Sequence, residues 1–383
     1  MRRLAKPLYG LHRIQGSNPC LSAIPDLSAR VPLGEPGQEG AILTGSGTGF
    51  AAALHFFLGA LLTTPQAPER DGPMALQDVR SWMYQFQGLE SKSAVEALAG
   101  SPYDLLVVEP MGTYQAAKDF DMKGMVSRLH AGKRGRLVLA YLDIGQADSN
   151  RTYWKKGWKP PGQKQRGDPD FLLKPDPDGW KDTYVVRPSD PRWQDLVLAD
   201  VAKIMTAGFD GLYLDWVEAY QDTTAATEMK AQGLVPARAV VDFISRVRQE
   251  ARKAEPTART VAQNAPYLID EDERLAGLVD AVAFESTWFR GKAEAGWGDP
   301  EGGDRPNAPA EARYSTEARL RQYARYKAAG KPVLTVDYCL KADNAKMVYQ
   351  ESRSRGWVPL VSRVALDRLT ETPPPDLPQA EKK

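Results

Sequence analysis

The feature that most constrains this chain is a repeated pattern in which a short apolar β-run ends abruptly in a carboxylate and a helical stretch follows. GFDGLYLDW, residues 208–216, shows it most clearly, because Leu212-Tyr213-Leu214 runs straight into Asp215. LVLAYLD ends in Asp143, AVAFES carries Glu285 and VLTVDY carries Asp337. A carboxylate at the end of a buried strand is costly to desolvate. In a barrel of parallel strands all the carboxyl ends open on one face, where active sites sit. Acids repeated at strand ends therefore predict a single acidic pocket.

Eight strand-like runs occur between residues 78 and 368: SWMYQFQ (81–87), YDLLVVEP (103–110), RLVLAYLDIG (136–145), GLYLDW (211–216), TVAQNAP (260–266), VDAVAFEST (279–287), PVLTVDYC (332–339) and WVPLVSRV (357–364). Most are apolar without alternation, as in strands covered on both faces. Helical periods lie between them. Val240, Phe243, Ile244, Val247 and Ala251 share one helix face, and Leu198, Val201, Ala202 and Met205 predict another over 195–207. Gly208, Gly330 and Gly356 stand where helices should stop. Eight strand–helix units predict a single-domain (β/α)8 TIM barrel over 74–370. The alternative is an open doubly wound sheet, but no GxGxxG or P-loop follows any strand.

The ends read differently. Residues 1–73 form a leader whose 15–49 stretch is rich in Gly, Pro and Ser and is expected to be disordered. FAAALHFFLGALLTT, 50–64, has the length of a signal-peptide h-region and is too short for a confident membrane span. Secretion or placement in the cell envelope is the expectation, and the cytoplasm if that run is no signal. No stable membrane insertion is expected. The Pro-rich, charged tail 371–383 is expected to fray.

Composition narrows the chemistry. The formal net charge is +1, from 50 basic and 49 acidic residues, which gives no global reason to expect nucleic acid. Two cysteines, Cys20 and Cys339, make no disulfide framework. Only His12, His55 and His130 are available, which argues against zinc sites rich in histidine and against Ser-His-Asp hydrolysis. Carboxylates remain. Asp215 and Glu285 end the fourth and sixth strands, near neighbours on a barrel rim, so a carboxyl separation of roughly 5–9 Å suits glycoside hydrolysis. Long segments at 146–182 (Trp154, Trp158, Trp180) and 288–313 (Trp288, Trp297) offer aromatic faces for sugar rings, or pins for the loops themselves.

Taken in order, YLDIGQAD (141–148), GFDGLYLDW (208–216), VAQNAP (261–266), AFESTWF (283–289) and VLTVDYC (333–339) resemble glycoside hydrolase family 114, the endo-α-1,4-polygalactosaminidase family with a TIM-barrel fold. The resemblance covers roughly residues 76–368. It implies that Asp215 is the nucleophile or its equivalent, that Glu285 is the acid/base, and that the course is retaining, without metal or organic cofactor. Tyr141, Asn264 and Tyr338 match polar strand-end positions that orient the sugar or the acids. Asp143, Asp337, Glu109, Trp216 and Trp288 complete the expected substrate-contacting set. The family's third-strand S-x-G-E-A-E is replaced by Asp143-Ile144-Gly145-Gln146-Ala147-Asp148, so a neutral Gln146 stands where an acid is usual.

A pocket lined by these acids suits a cationic galactosamine polymer and raises the pKa of one carboxyl, as a general acid requires. Glu285 is expected to be that acid, because AVAF gives it an apolar approach. Asp210 precedes its strand and is expected at the opposite end of the barrel or in a turn. The partner is a polysaccharide, and the protein is expected to act as a monomer. The rivals are a carbohydrate-binding barrel without catalysis, a glycosidase of other specificity, and an acid-rich metal-dependent enzyme.

Overall fold

The computed structural model describes residues 72–307 and 313–377. The 50–64 run, almost all of the leader, and the tail from 378 onward lie outside the described residues. Eight strands form one sheet: β1 (Trp82–Gln85), β2 (Leu105–Val108), β3 (Leu137–Asp143), β4 (Gly211–Asp215), β5 (Arg259–Gln263), β6 (Ala281–Glu285), β7 (Val333–Tyr338) and β8 (Val358–Ser362). Each pairs in parallel with the next in sequence. Strictly sequential order sets aside the doubly wound alternative, whose strand order reverses part-way. The seam is bridged by side chain and backbone. The Trp82 indole N–H donates to the Val358 carbonyl at 3.0 Å, and the Phe86 and Gln87 amides both donate to the Leu366 carbonyl. The result is a nearly closed (β/α)8 barrel.

Helices cover the outside. The longest, Pro236–Ala254, buries Val240, Phe243, Ile244, Val247 and Ala251, the expected stripe. The helix after β3 spans Pro191–Thr206, capped by Asp190, whose side chain accepts the Arg192 amide. Its buried face differs from the expectation: Leu198 is half-buried and Ala202 exposed, while Trp193, Val197, Val201, Ile204 and Met205 face the barrel. Trp193 starts a bulkier i, i+4 stripe that rotates the helix, and the Trp193 indole donates to the Ile144 carbonyl at 2.9 Å. Gly208, Gly330 and Gly356 follow helix ends with φ of 94°, 73° and 71°, the left-handed stop that glycine adopts without a Cβ penalty. No described helix is long and apolar enough to cross a membrane.

Two expectations shift. The 146–182 segment is not a plain loop: Gln146–Asp148, Leu172–Pro175 and Thr183–Val186 make a small antiparallel sheet on the rim. The start of the Pro-rich tail does not fray. Tyr349 Oη donates to the Thr372 carbonyl at 2.5 Å, and Leu377 packs on the core, so 371–377 lie along the last helix, Ala342–Ser354.

Inside the barrel, aromatic rings fill the space beneath the mouth. Trp82, Tyr84 and Phe86 point inward from alternate positions at β1 and stack with Tyr141 of β3 and Tyr213 of β4. Ring centroids lie 5.3 Å (Tyr84–Tyr213) and 5.6 Å (Phe86–Tyr141) apart.

Candidate active site

The candidate residues lie at the carboxyl ends of β3 to β7. Asp143 and Asp215 are register partners on β3 and β4, which sets the two acids side by side. Asp215 is fully buried. Tyr141 Oη donates to its Oδ2 at 2.6 Å and the Trp216 amide to its Oδ1 at 2.8 Å. Burial pushes the Asp215 carboxyl well up, and the charges of Asp143 and Glu285 add to the push. Asp143 is half-buried, and its Oδ1 accepts the Gly145 and Gln146 amides at 2.9 and 2.7 Å. That tight turn needs Gly145, since a Cβ there would lie 2.5 Å from the Trp216 carbonyl oxygen.

Glu285, also buried, ends β6 between two donor-bearing neighbours. Asn264 Nδ2 donates to its Oε2 at 2.8 Å, and Asn264 Oδ1 accepts the Glu285 amide at 2.9 Å. Gln263 also donates to Oε2, and Tyr338 Oη donates to Oε1. Burial raises the Glu285 carboxyl to about 7, while the donors Tyr338, Asn264 and Gln263 pull the other way. The apolar approach expected from AVAF is therefore not what surrounds this carboxylate. Those side chains build the strand, and β5 and β7 supply a polar cradle instead.

Backbone strain marks the same rim. The residues just past β4, β5 and β6 are Trp216, Asn264 and Ser286, with φ of 54°, 59° and 55°. None is glycine, and left-handed backbone costs such residues of order 1–3 kcal/mol each. Clustering at three adjacent strand ends ties the strain to aiming Asp215, Asn264 and Glu285.

Two further acids, Glu218 and Asp178, feel the charge of the site acids. Glu218 is the second residue of the short 3-10 helix Val217–Gln221, which follows Asp215 by way of the left-handed Trp216. Burial raises its carboxyl well up, reinforced by the charges of Asp215, Glu285 and Asp143. The i, i+3 spacing after a strand-end acid was the available signal. Asp178 arrives from the rim sheet, in a turn held by Asp176, whose Oδ1 accepts the amides of Asp178, Gly179 and Trp180. Burial, then the charges of Asp176 and Glu285, raise the Asp178 carboxyl. No short motif flags it, because an antiparallel excursion of some thirty residues delivers it.

Against this geometry, the model of glycoside-hydrolase family GH114 matches residues 63–376. The chain belongs to that family. An uncharacterized protein of Deinococcus radiodurans is 32% identical over 311 residues, covering 80% of this chain and 88% of that one. An uncharacterized protein of Thermotoga maritima is 24% identical over 295 residues, covering 75% and 81%. Among solved structures, the glycoside hydrolase domain of PelA from Pseudomonas aeruginosa aligns with a TM-score of 0.52 at 21% identity, over 77% of this chain and 98% of that one. Aspergillus fumigatus Ega3 in complex with galactosamine aligns with a TM-score of 0.53 at 14% identity, over 79% and 99%. At such identities these two support the fold.

The remaining site candidates of this GH114 chain fall into three groups. Tyr141, Asn264 and Tyr338 touch the acid pair, as described. Asp337 and Glu109 are buried near the rim but have structural partners. Asp337 Oδ1 accepts the Trp288 and Phe289 amides at 2.7 and 2.8 Å, pinning the loop after β6, and burial raises its carboxyl to about 7. Glu109 Oε1 pairs with Arg151 at 2.7 Å. Trp216 and Trp288 form the third group, whose rings pack on apolar neighbours. Trp216 is buried with Leu173, Val185, Ala219, Ala225 and Met229, and Trp288 packs outside the barrel, 6.4 Å from the Trp357 ring.

The other tryptophans also act as pins. Trp154 meets Trp158 at 5.2 Å and Trp158 meets Phe171 at 5.4 Å, while the Trp297 indole donates to Glu371 at 3.1 Å. Gln146 donates to Asp176 Oδ2 at 2.6 Å, so the residue that replaces the family acid fastens the Asp178 turn. Asp210 lies at the other end of β4, its Oδ2 2.7 Å from both the Val138 amide and His130 Nε2. Among the described residues no cluster of three or more acid, histidine or cysteine ligands is arranged to hold a metal ion.

Proposed function

We propose that this glycoside hydrolase cleaves an amino-sugar polymer of the α-1,4-galactosamine type by double displacement. The observation that carries the reading is the buried pair itself: Asp215 and Glu285 each sit in a separate hydrogen-bond cradle, yet close enough that Glu285 raises the Asp215 carboxyl. Glu285, held at about 7, gives its proton to the departing glycosidic oxygen as Asp215 bonds to the anomeric carbon. The Glu285 carboxylate then takes a proton from water as that water attacks the same carbon and frees Asp215. A group that alternates between acid and base works best with a pKa near the operating pH.

For its part Asp215 must be ionised, and in the empty pocket burial opposes that. A cationic sugar entering among Asp143, Asp215, Glu218 and Glu285 supplies the missing counter-charge. The substrate class is supported by this excess of carboxylates and by the galactosamine bound to the structurally similar Ega3. Because such polymers lie outside cells, the 50–64 run is read as an export signal, which N-terminal sequencing of the native protein checks: an intact residue 1–60 segment would sink it. The catalytic reading is tested with Asp215→Asn and Glu285→Gln. Each should abolish release of reducing ends from partly deacetylated α-1,4-galactosaminan with the thermal unfolding midpoint kept. Near wild-type turnover in either variant refutes it.

A further inference from the structure

Charge is nearly balanced over the whole chain, at +1, yet one stretch of the rim is not balanced at all. Residues 152–167, TYWKKGWKPPGQKQRG, hold five cations and no acid. Arg166 pairs with Glu228. Lys155, Lys156, Lys159 and Lys164 are all exposed and form no ion pair among the described residues. The stretch is built into the rim. Lys159 and Asp168 exchange backbone hydrogen bonds at 2.8 and 2.9 Å, and the Gly162 amide donates to the Gln165 carbonyl at 2.8 Å. Residues 159–168 therefore form a hairpin-like finger with Lys164 at its tip. At its base, half-buried Trp154 meets Trp158 at 5.2 Å and Tyr184 of the rim sheet at 5.5 Å, so partly exposed rings are held at fixed angles beside the lysines.

We infer that this finger is a second binding surface, separate from the acidic pocket, for an anionic polysaccharide whose sugar rings bear carboxylates. Each unit of such a polymer matches both halves of what the finger presents. Its ring has an apolar face for Trp154, Trp158 or Tyr184, and its carboxylate accepts from a lysine ammonium. The finger does not extend the subsites for the polymer proposed above, because its lysines repel a cationic chain that the pocket acids attract. It holds the enzyme on one polymer while the pocket acts on another. Lysines serving solubility alone would need neither the hairpin nor the fixed rings among them. An anionic bilayer is the poorer match, since Trp154 and Trp158 pack on the barrel core and on each other and are not free to enter lipid. A nucleic acid would offer phosphates and bases, but the family acts on glycosides, so the polymers around it are glycans.

The test is equilibrium binding of the full chain to immobilised polygalacturonate at neutral pH, with dextran, single-stranded DNA, polyphosphate and phosphatidylglycerol vesicles as the other surfaces. Polygalacturonate should bind and uncharged dextran should not. The affinity should fall about tenfold or more between about 0.05 and 0.5 M salt, as contacts between exposed charges do. Changing the four lysines together, Lys155→Gln, Lys156→Gln, Lys159→Gln and Lys164→Gln, should weaken binding about tenfold or more, the product of four exposed contacts worth a few-fold each. Arg at the same positions should keep the affinity within about threefold. Both variants should unfold at the wild-type temperature and release reducing ends from a short soluble substrate at the wild-type rate, because the lysines lie outside the pocket. Undiminished binding in the Gln variant, or no binding of polygalacturonate by wild type, overturns the inference. So does equal or tighter binding of DNA, polyphosphate or vesicles at matched charge, which would make the finger a contact for nucleic acid, for any polyanion or for membrane. Binding is read without cleavage, so each of these results leaves the Asp215–Glu285 reading standing.

Discussion

Removing the Tyr338 hydroxyl should move the pH profile upward. Tyr338 Oη donates to Glu285 Oε1, one of three donors that stabilise the ionised carboxylate against a burial that holds its pKa at about 7. A hydrogen bond to a charged group contributes about 1.5–3 kcal/mol. At about 1.4 kcal/mol per pKa unit, its loss in Tyr338→Phe raises the Glu285 pKa by about 1–2 units, to roughly 8–9. The general acid works while protonated, so activity falls as pH rises through that pKa. At pH 8 about a tenth of the wild-type enzyme carries the proton, against about half or more of the variant. The assay is kcat/KM for reducing-end release from pH 5 to 10. Its absolute level is free to drop through poorer positioning, but the midpoint of the basic limb must rise. An unmoved or lowered midpoint would refute the assignment of Glu285 as the proton donor that Tyr338 tunes.

Other perturbations test the surrounding frame. Asp337 is buried with its carboxyl raised from 3.8 to about 7. Stability from its protonated form is fully present below about pH 4 and is lost as pH rises through 7, by up to about 4 kcal/mol. Asp337→Asn keeps the Oδ1 acceptor for the Trp288 and Phe289 amides, so it should unfold at higher temperature than wild type at pH 8 and at a similar temperature at pH 4; equal shifts at both pH values would count against this. Arg151→Ala strands Glu109 in the core and should lower unfolding free energy by about 3–5 kcal/mol in denaturant titrations. Gly145→Ala drives a Cβ to 2.5 Å from the Trp216 carbonyl oxygen, next to Asp215. A displacement of that kind should lower kcat by tenfold or more, and unchanged kcat would contradict the close-approach argument.

Much of the barrel was readable because burial on both faces leaves a plain record. Runs such as Leu212-Tyr213-Leu214 have no polar alternation, and Gly208, Gly330 and Gly356 mark where helices must stop. Strand-end acids were readable for the same reason, since a carboxylate interrupts an apolar run visibly. Contacts made across the rim left no such mark. Trp216 and Trp288 look like sugar platforms in a linear reading, yet large aromatic rings are also the most effective covers for apolar surface, and here that use prevails. Asp337 and Glu109 end or follow buried strands as Asp215 does. Their partners, two loop amides and Arg151, come from 42 to 49 residues away and could not be inferred from the runs themselves. Glu218 needed the knowledge that β4 passes through a left-handed Trp216 into a 3-10 helix, which a linear reading does not reveal.

The distribution of donors explains why the acid and the nucleophile need different neighbours. Glu285 must hold a proton and release it within one cycle, and its donors come from both adjacent strands, so its pKa is set by three contacts that pull against burial. Asp215 needs only to be charged when the sugar is in place. It has two donors, and burial, reinforced by the charges of Asp143 and Glu285, raises its carboxyl. A neutral sugar entering this pocket would leave that repulsion unchanged and displace water that had screened it. On the proposed reading a cationic sugar would reverse it, ionising Asp215 as it binds. On that reading, binding of the amine and ionisation of Asp215 are one electrostatic event.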